Sequence, residues 1–171
     1  IGLPDGACDQ HDATALIAGA IARIEPATIV TFGPDGMTGH PEHRAVSSWT
    51  SRAWRAAGAP GELWYATLTH AFHARWGGLN HDVGLWAEQP VPPRTRVSEL
   101  AALVELDRAE QEQKLAALRA HASQTTPLID LIGEDRFRQW WAAEAFVAAK
   151  RPAEPRRGRF RPTTGAAAAS V

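Results

Sequence analysis

Apolar residues recur along the first part of the chain at the spacing of one helical face. Leu16, Ile17, Ala20, Ile21 and Ile24 follow a candidate N-cap at Asp12, and Pro26 closes the unit. Thr28 to Phe32 is a run rich in β-branched residues and reads as a buried strand. A helix is predicted from Pro41 to Ala57, with Val46, Trp49, Ala53 and Trp54 on its apolar side and Gly58 as the stop. Leu63 to Leu68 reads as the next strand. This alternation predicts an α/β chain, a Rossmann-like parallel sheet flanked by helices.

Further along, the pattern predicts a short helix from Ala71 to Trp76, broken at Gly77-Gly78, and a surface loop from Glu88 to Thr95 that contains three prolines. Ser98 to Leu106 fits either period; on pattern alone it reads as helix. Arg108 to His121 is an amphipathic helix and Glu134 to Trp141 a shorter one. From Lys150 the composition shifts to Arg, Pro and Gly and then to an alanine run, so residues 150–171 are expected to form a disordered basic tail.

Composition narrows the class. The 171 residues suit one domain, and 44 % hydrophobic content with seven Trp can fill a core. A net charge of -1 gives no general attraction to nucleic acid or anionic surfaces. Cys8 is the single cysteine, which excludes a disulfide framework and a cysteine-based zinc site and suits a reducing cytoplasm. No apolar run approaches the roughly 18 residues of a membrane span, so no stable membrane insertion is expected.

The candidate chemistry lies between the first strand and the second helix. Gly33, Gly36 and Gly39 punctuate a loop that delivers His40 and His43, with Pro41 suited to the first helical position. His40 then falls at the cap and His43 on the third helical residue, both facing the crevice at the strand end. Glu42 sits where the helix dipole favours negative charge, and it is placed to orient a neighbouring imidazole. A His-x-x-His pair on a helix is commonly only a solvated face. The preceding strand, the glycines and the proline favour hydrolytic metal chemistry instead.

These residues carry a resemblance. Gly39-His40-Pro41-Glu42-His43 resembles the Gly-His-Pro-Asp-His loop of the PIG-L/LmbE-like zinc-dependent N-acetylglucosaminyl deacetylases. Gly2-Leu3-Pro4-Asp5-Gly6 is similar to that family's Gly-Tyr-Pro-Asp-Gly turn. Lys114 to Gln124 resembles its late helix with a His-x-Ser-Gln motif, and Glu144-Ala145-Phe146-Val147 its closing strand. The resemblance spans residues 1–149, favours a strand over 98–106, and assigns roles. His43 would ligate Zn2+, His40 would stabilise the oxyanion or protonate the leaving amine, and Glu42 would orient His40. The substrate would be a small-molecule amino-sugar conjugate, with no nucleic-acid partner. The family's first signature, an Ala-His-Pro-Asp-Asp-Glu loop that supplies two more metal ligands and the general base, does not occur here. The chain is therefore expected to be a deacetylase domain incomplete at its N-terminus and inactive alone.

Two other classes stay open at this stage, a non-catalytic sugar- or metal-binding homologue and a helix-rich interaction module. His70 and His73 repeat the His-x-x-His spacing without a glycine loop and read as surface residues. His81-Asp82 reads as a loop pair, and His121 as a helix C-terminal residue near the dipole. The tryptophans read mostly as core or rim.

Overall fold

The structure, a computed structural model, describes residue 6, residues 8–86 and residues 92–151. Helix α1 (Thr14–Ile24) leads into strand β1 (Thr28–Phe32), and helix α2 (Pro41–Ala56) into strand β2 (Glu62–Thr67). The N-cap of α1 is Ala13, not the expected Asp12, which lies one residue earlier with its Oδ1 accepting from the Thr14 N–H at 2.9 Å. Helix α3 (His70–Asp82) follows, then strand β3 (Ala102–Glu105), helices α4 (Arg108–Arg119), α5 (Ala122–Ile132) and α6 (Glu134–Trp140), and strand β4 (Ala143–Ala148). Among the described residues no helix is long and apolar enough to cross a membrane.

The sheet runs in the order β1-β2-β4-β3. The predicted α/β, Rossmann-like sheet flanked by helices is observed, and its β1–β2 pair is parallel, with Val30 in register with Trp64 and Phe32 with Ala66. The sheet is not parallel throughout, because β4 runs antiparallel to both β2 and β3. After β2 the chain passes through α3 to β3 at the far edge and then through α4, α5 and α6 before β4 inserts between β2 and β3, and that reversal carries no local signature. Nor is β1 a buried strand. It lies at one edge of the sheet among the described residues, and its Val30 is 56 % exposed.

Helices α1 and α2 cover one face. Ile21, Ala53, Trp54, Leu63 and Tyr65 form that core, and Ser51 Oγ meets the Tyr65 hydroxyl across it at 2.8 Å. Trp54 is buried, and its Nε1 donates to Pro60 O at 2.9 Å, tying the end of α2 to the turn before β2. Burying side chains of this size contributes roughly 1.5–3 kcal/mol each. The α2 face differs from the predicted one in detail. Trp49, Ala53 and Trp54 are buried and Val46 is half-buried, while the small polar residues Ser47, Thr50 and Ser51 are buried with them.

A second core, built from Trp76, Leu79, Leu115, Phe137 and Trp140, joins α3, α4 and α6, with Leu128 and Ile129 of α5 against it. This core explains why α3 continues through Gly77-Gly78, where a break was expected. Each glycine costs about 1 kcal/mol relative to alanine, and burial of Trp76 and Leu79 on the same helix outweighs it. Helix α5 forms despite an internal Pro127 for the same reason. The segment that fits either period is resolved as a 3-10 turn at Val97–Glu99 followed by β3, which pairs with β4.

Arg151, within the expected tail, contacts the folded body. Arg151 Nη1 donates to Ala59 O at 2.9 Å, and Nη2 donates to Gly61 O. The rest of the expected tail, the Gly2–Asp5 part of the first turn and the first half of the proline loop lie outside the described residues.

Candidate active site

The loop after β1 closes on itself. Gly36 N–H donates to Gly33 O at 2.9 Å, Asp35 Oδ1 accepts from Met37 N–H at 2.6 Å, and Thr38 N–H donates to Gly36 O at 2.7 Å. Gly36 has φ 74 and Met37 φ 61, left-handed angles that turn the Gly36 carbonyl back toward α2. Arg44 Nε donates to Asp35 O at 3.1 Å and pins the loop tip to the helix. Pro41 opens α2, with His40 as its N-cap.

The two imidazoles are held in opposite tautomers. His43 Nδ1 lies 3.0 Å from Gly36 O and 3.2 Å from Thr38 Oγ1. A carbonyl oxygen can only accept, so Nδ1 carries the proton and the lone pair sits on Nε2, the arrangement of a metal-ligating histidine. The ring also stacks on Phe32 at 3.9 Å and 7°. His40 Nδ1 accepts from the Glu42 backbone N–H at 3.3 Å, which places its proton on Nε2. The ring centroids are 5.1 Å apart and tilted by 44°. One Nε2 is therefore a Lewis base and the other a hydrogen-bond donor.

Glu42 takes another role from the one its position implies. Its Oε1 accepts from Gly6 N–H at 2.8 Å, so the carboxylate ties the start of α2 to the Gly6 turn. The group that holds His40 is the Glu42 main chain.

Both imidazoles line a cavity of about 370 Å³ together with Thr38, Val83, Gly84, Leu85, Leu128 and Trp140. A neighbouring cavity of about 410 Å³ lies over Val30, Phe32, Ala66 and Phe146, with Lys114 and Glu144 at its rim, and contains neither histidine. Lys114 Nζ bonds Glu144 Oε1 at 2.5 Å and Trp141 O at 3.0 Å, so it is a strut between α4 and β4.

A hydrolytic zinc site needs three protein ligands and an open position. Among the described residues no three His, Cys, Asp or Glu side chains converge to hold a metal ion. His43 is suited to supply one ligand atom; the described residues do not by themselves fit zinc.

The other histidines stay apart from this cavity. His73 Nε2 donates to Pro93 O at 2.8 Å, and burial lowers its pKa, with Arg94 and His70 acting the same way. His70 is exposed, and His81 and Asp82 form an exposed pair at the end of α3, not in a loop. His121 is the N-cap of α5 and not the end of α4; it and Gln124 are exposed. Sequence reasoning missed Phe32 and Thr38 as supports for His43, although both lie within the motif. It also missed the wall formed by Val83, Leu85, Leu128 and Trp140, which no local signal links to residue 40.

Over 123 residues the chain is 36 % identical to the 1D-myo-inositol 2-acetamido-2-deoxy-alpha-D-glucopyranoside deacetylase of Tsukamurella paurometabola, covering 64 % of this chain and 41 % of the relative. The protein of the same name from Rhodococcus jostii is 33 % identical over 132 residues, 69 % of this chain and 45 % of the relative. That from Mycolicibacterium smegmatis is 29 % identical over 127 residues, 69 % and 43 % respectively. The chain thus spans less than half the length of these relatives. No protein-family model matches it.

Proposed function

We propose, from the premise that this chain is a relative of the PIG-L/LmbE-like deacetylases, that it forms part of a hydrolase. The enzyme would remove the N-acetyl group from an N-acetylglucosamine-type conjugate. The observation that carries the reading is the pair of opposed tautomers on one cavity. In amide hydrolysis water adds to the carbonyl carbon, the C–N bond breaks, and acetate and a protonated amine leave. The tetrahedral intermediate bears an oxyanion, and donors aimed at it are worth several kcal/mol, roughly 3–4 for one donor. His40 Nε2–H is that donor. With its ring fixed by the Glu42 amide, it needs no reorganisation as charge develops.

His43 is proposed as a ligand for Zn2+, whose contribution would be to acidify a bound water. The stack on Phe32 and the bond to Gly36 O fix the direction of its lone pair. The remaining ligands and the general base must come from outside the described residues, so this chain alone is expected to release no acetate. A reading as a non-catalytic binding protein draws on the same gap, but it leaves the fixed donor on His40 without a use.

The test compares acetate release from an N-acetylglucosaminyl inositol by the chain alone and by the chain fused behind the N-terminal part of a relative. Activity only in the fusion, lost with His40→Ala and with His43→Ala, supports the proposal. Unchanged metal content and activity in fused His43→Ala would sink it.

A further inference from the structure

The Thr38 hydroxyl keeps one hydrogen that the histidine loop does not use. His43 Nδ1 carries its own proton, so Thr38 Oγ1, 3.2 Å away, can only accept from it. A threonine hydroxyl also has one hydrogen to donate, and among the described residues Thr38 Oγ1 makes no second hydrogen bond. Nor does His43 depend on this side chain. The Gly36 carbonyl is the nearer acceptor for Nδ1, at 3.0 Å, and it also takes the Thr38 main-chain N–H at 2.7 Å. Thr38 is half-buried and lines the cavity of about 370 Å³ with both imidazoles. Trp140, in the same lining, gives its Nε1–H to Asn80 Oδ1 at 2.9 Å. The main-chain N–H groups of Val83, Gly84 and Leu85 donate to Leu79 O, His81 O and Asn80 O. His40 Nε2–H and the Thr38 hydroxyl are therefore the side-chain hydrogens that this lining can still donate.

We infer that Thr38 is a substrate-binding residue whose hydroxyl donates to an oxygen of the sugar and not to the acetyl carbonyl. The inference rests on the deacetylase reading and adds a contact to it. In that reading the carbonyl lies at the Nε2 atoms of the two rings. The two nitrogens of an imidazole are distinct and point in nearly opposite directions, and Thr38 sits at Nδ1 of His43. A substrate with its carbonyl at the Nε2 atoms meets Thr38 only with atoms beyond the amide. On the acetyl side those atoms are a methyl group, which accepts no hydrogen bond. On the amine side they include the hydroxyl and ether oxygens of the sugar, which do.

The test titrates the chain with N-acetylglucosamine and with N-cyclohexylacetamide, which keeps the amide and lacks every sugar oxygen. NMR follows the ring signals of His40 and His43. Thr38→Val should weaken N-acetylglucosamine about two- to tenfold, the worth of one hydrogen bond, and leave N-cyclohexylacetamide unchanged. Thr38→Ser should restore the original affinity. The ¹⁵N shifts of His43 should report the Nδ1–H tautomer in both variants, because Gly36 O holds it. A Thr38→Val chain that loses this tautomer, or that binds both ligands more weakly to the same degree, overturns the inference. Unchanged affinity of Thr38→Val for N-acetylglucosamine also overturns it and leaves the deacetylase reading standing. Ring signals that respond to neither ligand overturn both.

Discussion

Replacing Gly36 with alanine should damage the fold and the site together. Gly36 has φ 74, and an alanine in that left-handed region costs about 1–2 kcal/mol. Against this stands a gain of roughly 0.4–1 kcal/mol from restricting the unfolded chain. Gly58, at φ 82 with nothing within 4 Å of a built Cβ, isolates these two effects. Gly58→Ala should therefore cost about 0–1.5 kcal/mol. At Gly36 the added Cβ would also meet Arg44 Cγ at 2.9 Å, and Arg44 N and His40 O at 3.3 Å. Arg44 can retreat only by straining its bond to Asp35 O, worth about 1 kcal/mol. Gly36→Ala should thus cost about 1–3 kcal/mol in all. In urea, with a slope of about 2 kcal/mol/M, this lowers the midpoint by roughly 0.5–1.5 M. The Gly36 carbonyl is the acceptor for His43 Nδ1, so ¹⁵N shifts of that ring should change from a fixed Nδ1–H tautomer to a mixture. If Gly36→Ala loses no more stability than Gly58→Ala and His43 keeps its tautomer, the loop geometry is not what orders this ring.

Trp140→Phe removes the bond to Asn80 Oδ1 in a buried site where Asn80 Nδ2 has no partner. It should cost about 1–3 kcal/mol in urea unfolding, and further replacement of Asn80 by Leu should recover part of it; a neutral Trp140→Phe contradicts this. Ser51→Ala orphans the buried Tyr65 hydroxyl. Combined with Tyr65→Phe it should cost less than the sum of the single changes, by about 0.5–3 kcal/mol of coupling, and strict additivity argues against the bond. His73 has a pKa below its ordinary 6.5, chiefly from burial, so below that pH the unfolded chain binds more protons than the folded one. Stability should fall as pH drops from 6.5 toward the lowered value and then level off. His73→Gln should shrink the difference in urea midpoint between pH 7.5 and pH 5.5, and an unaltered difference would assign the effect elsewhere.

The parts legible in the sequence share a physical character. The bounds of β1, the Pro41 start of α2 and the Arg108 start of α4 all rest on neighbours within one or two turns. The histidine loop is legible for the same reason, since Phe32, Gly36, Thr38, His40 and His43 lie within a dozen residues. Where long-range packing opposes local preference, the pattern misleads. Gly77-Gly78 do not end α3, Pro127 does not prevent α5, and the segment before Leu106 is a strand because β4 lies beside it.

Local chemistry in the sequence determined the starts of α2 and α4, the strand at Thr28–Phe32 and the presentation of two histidines at a helix N-terminus. These depend on backbone angles and caps that each residue and its near neighbours set. Tertiary structure alone decided the antiparallel return of β4, the exposed edge at β1, the attachment of Glu42 to Gly6, and the aliphatic residues that share a cavity with the imidazoles. Those features join residues that are far apart in the chain, and their free energy comes from surfaces that exist only once the chain has folded.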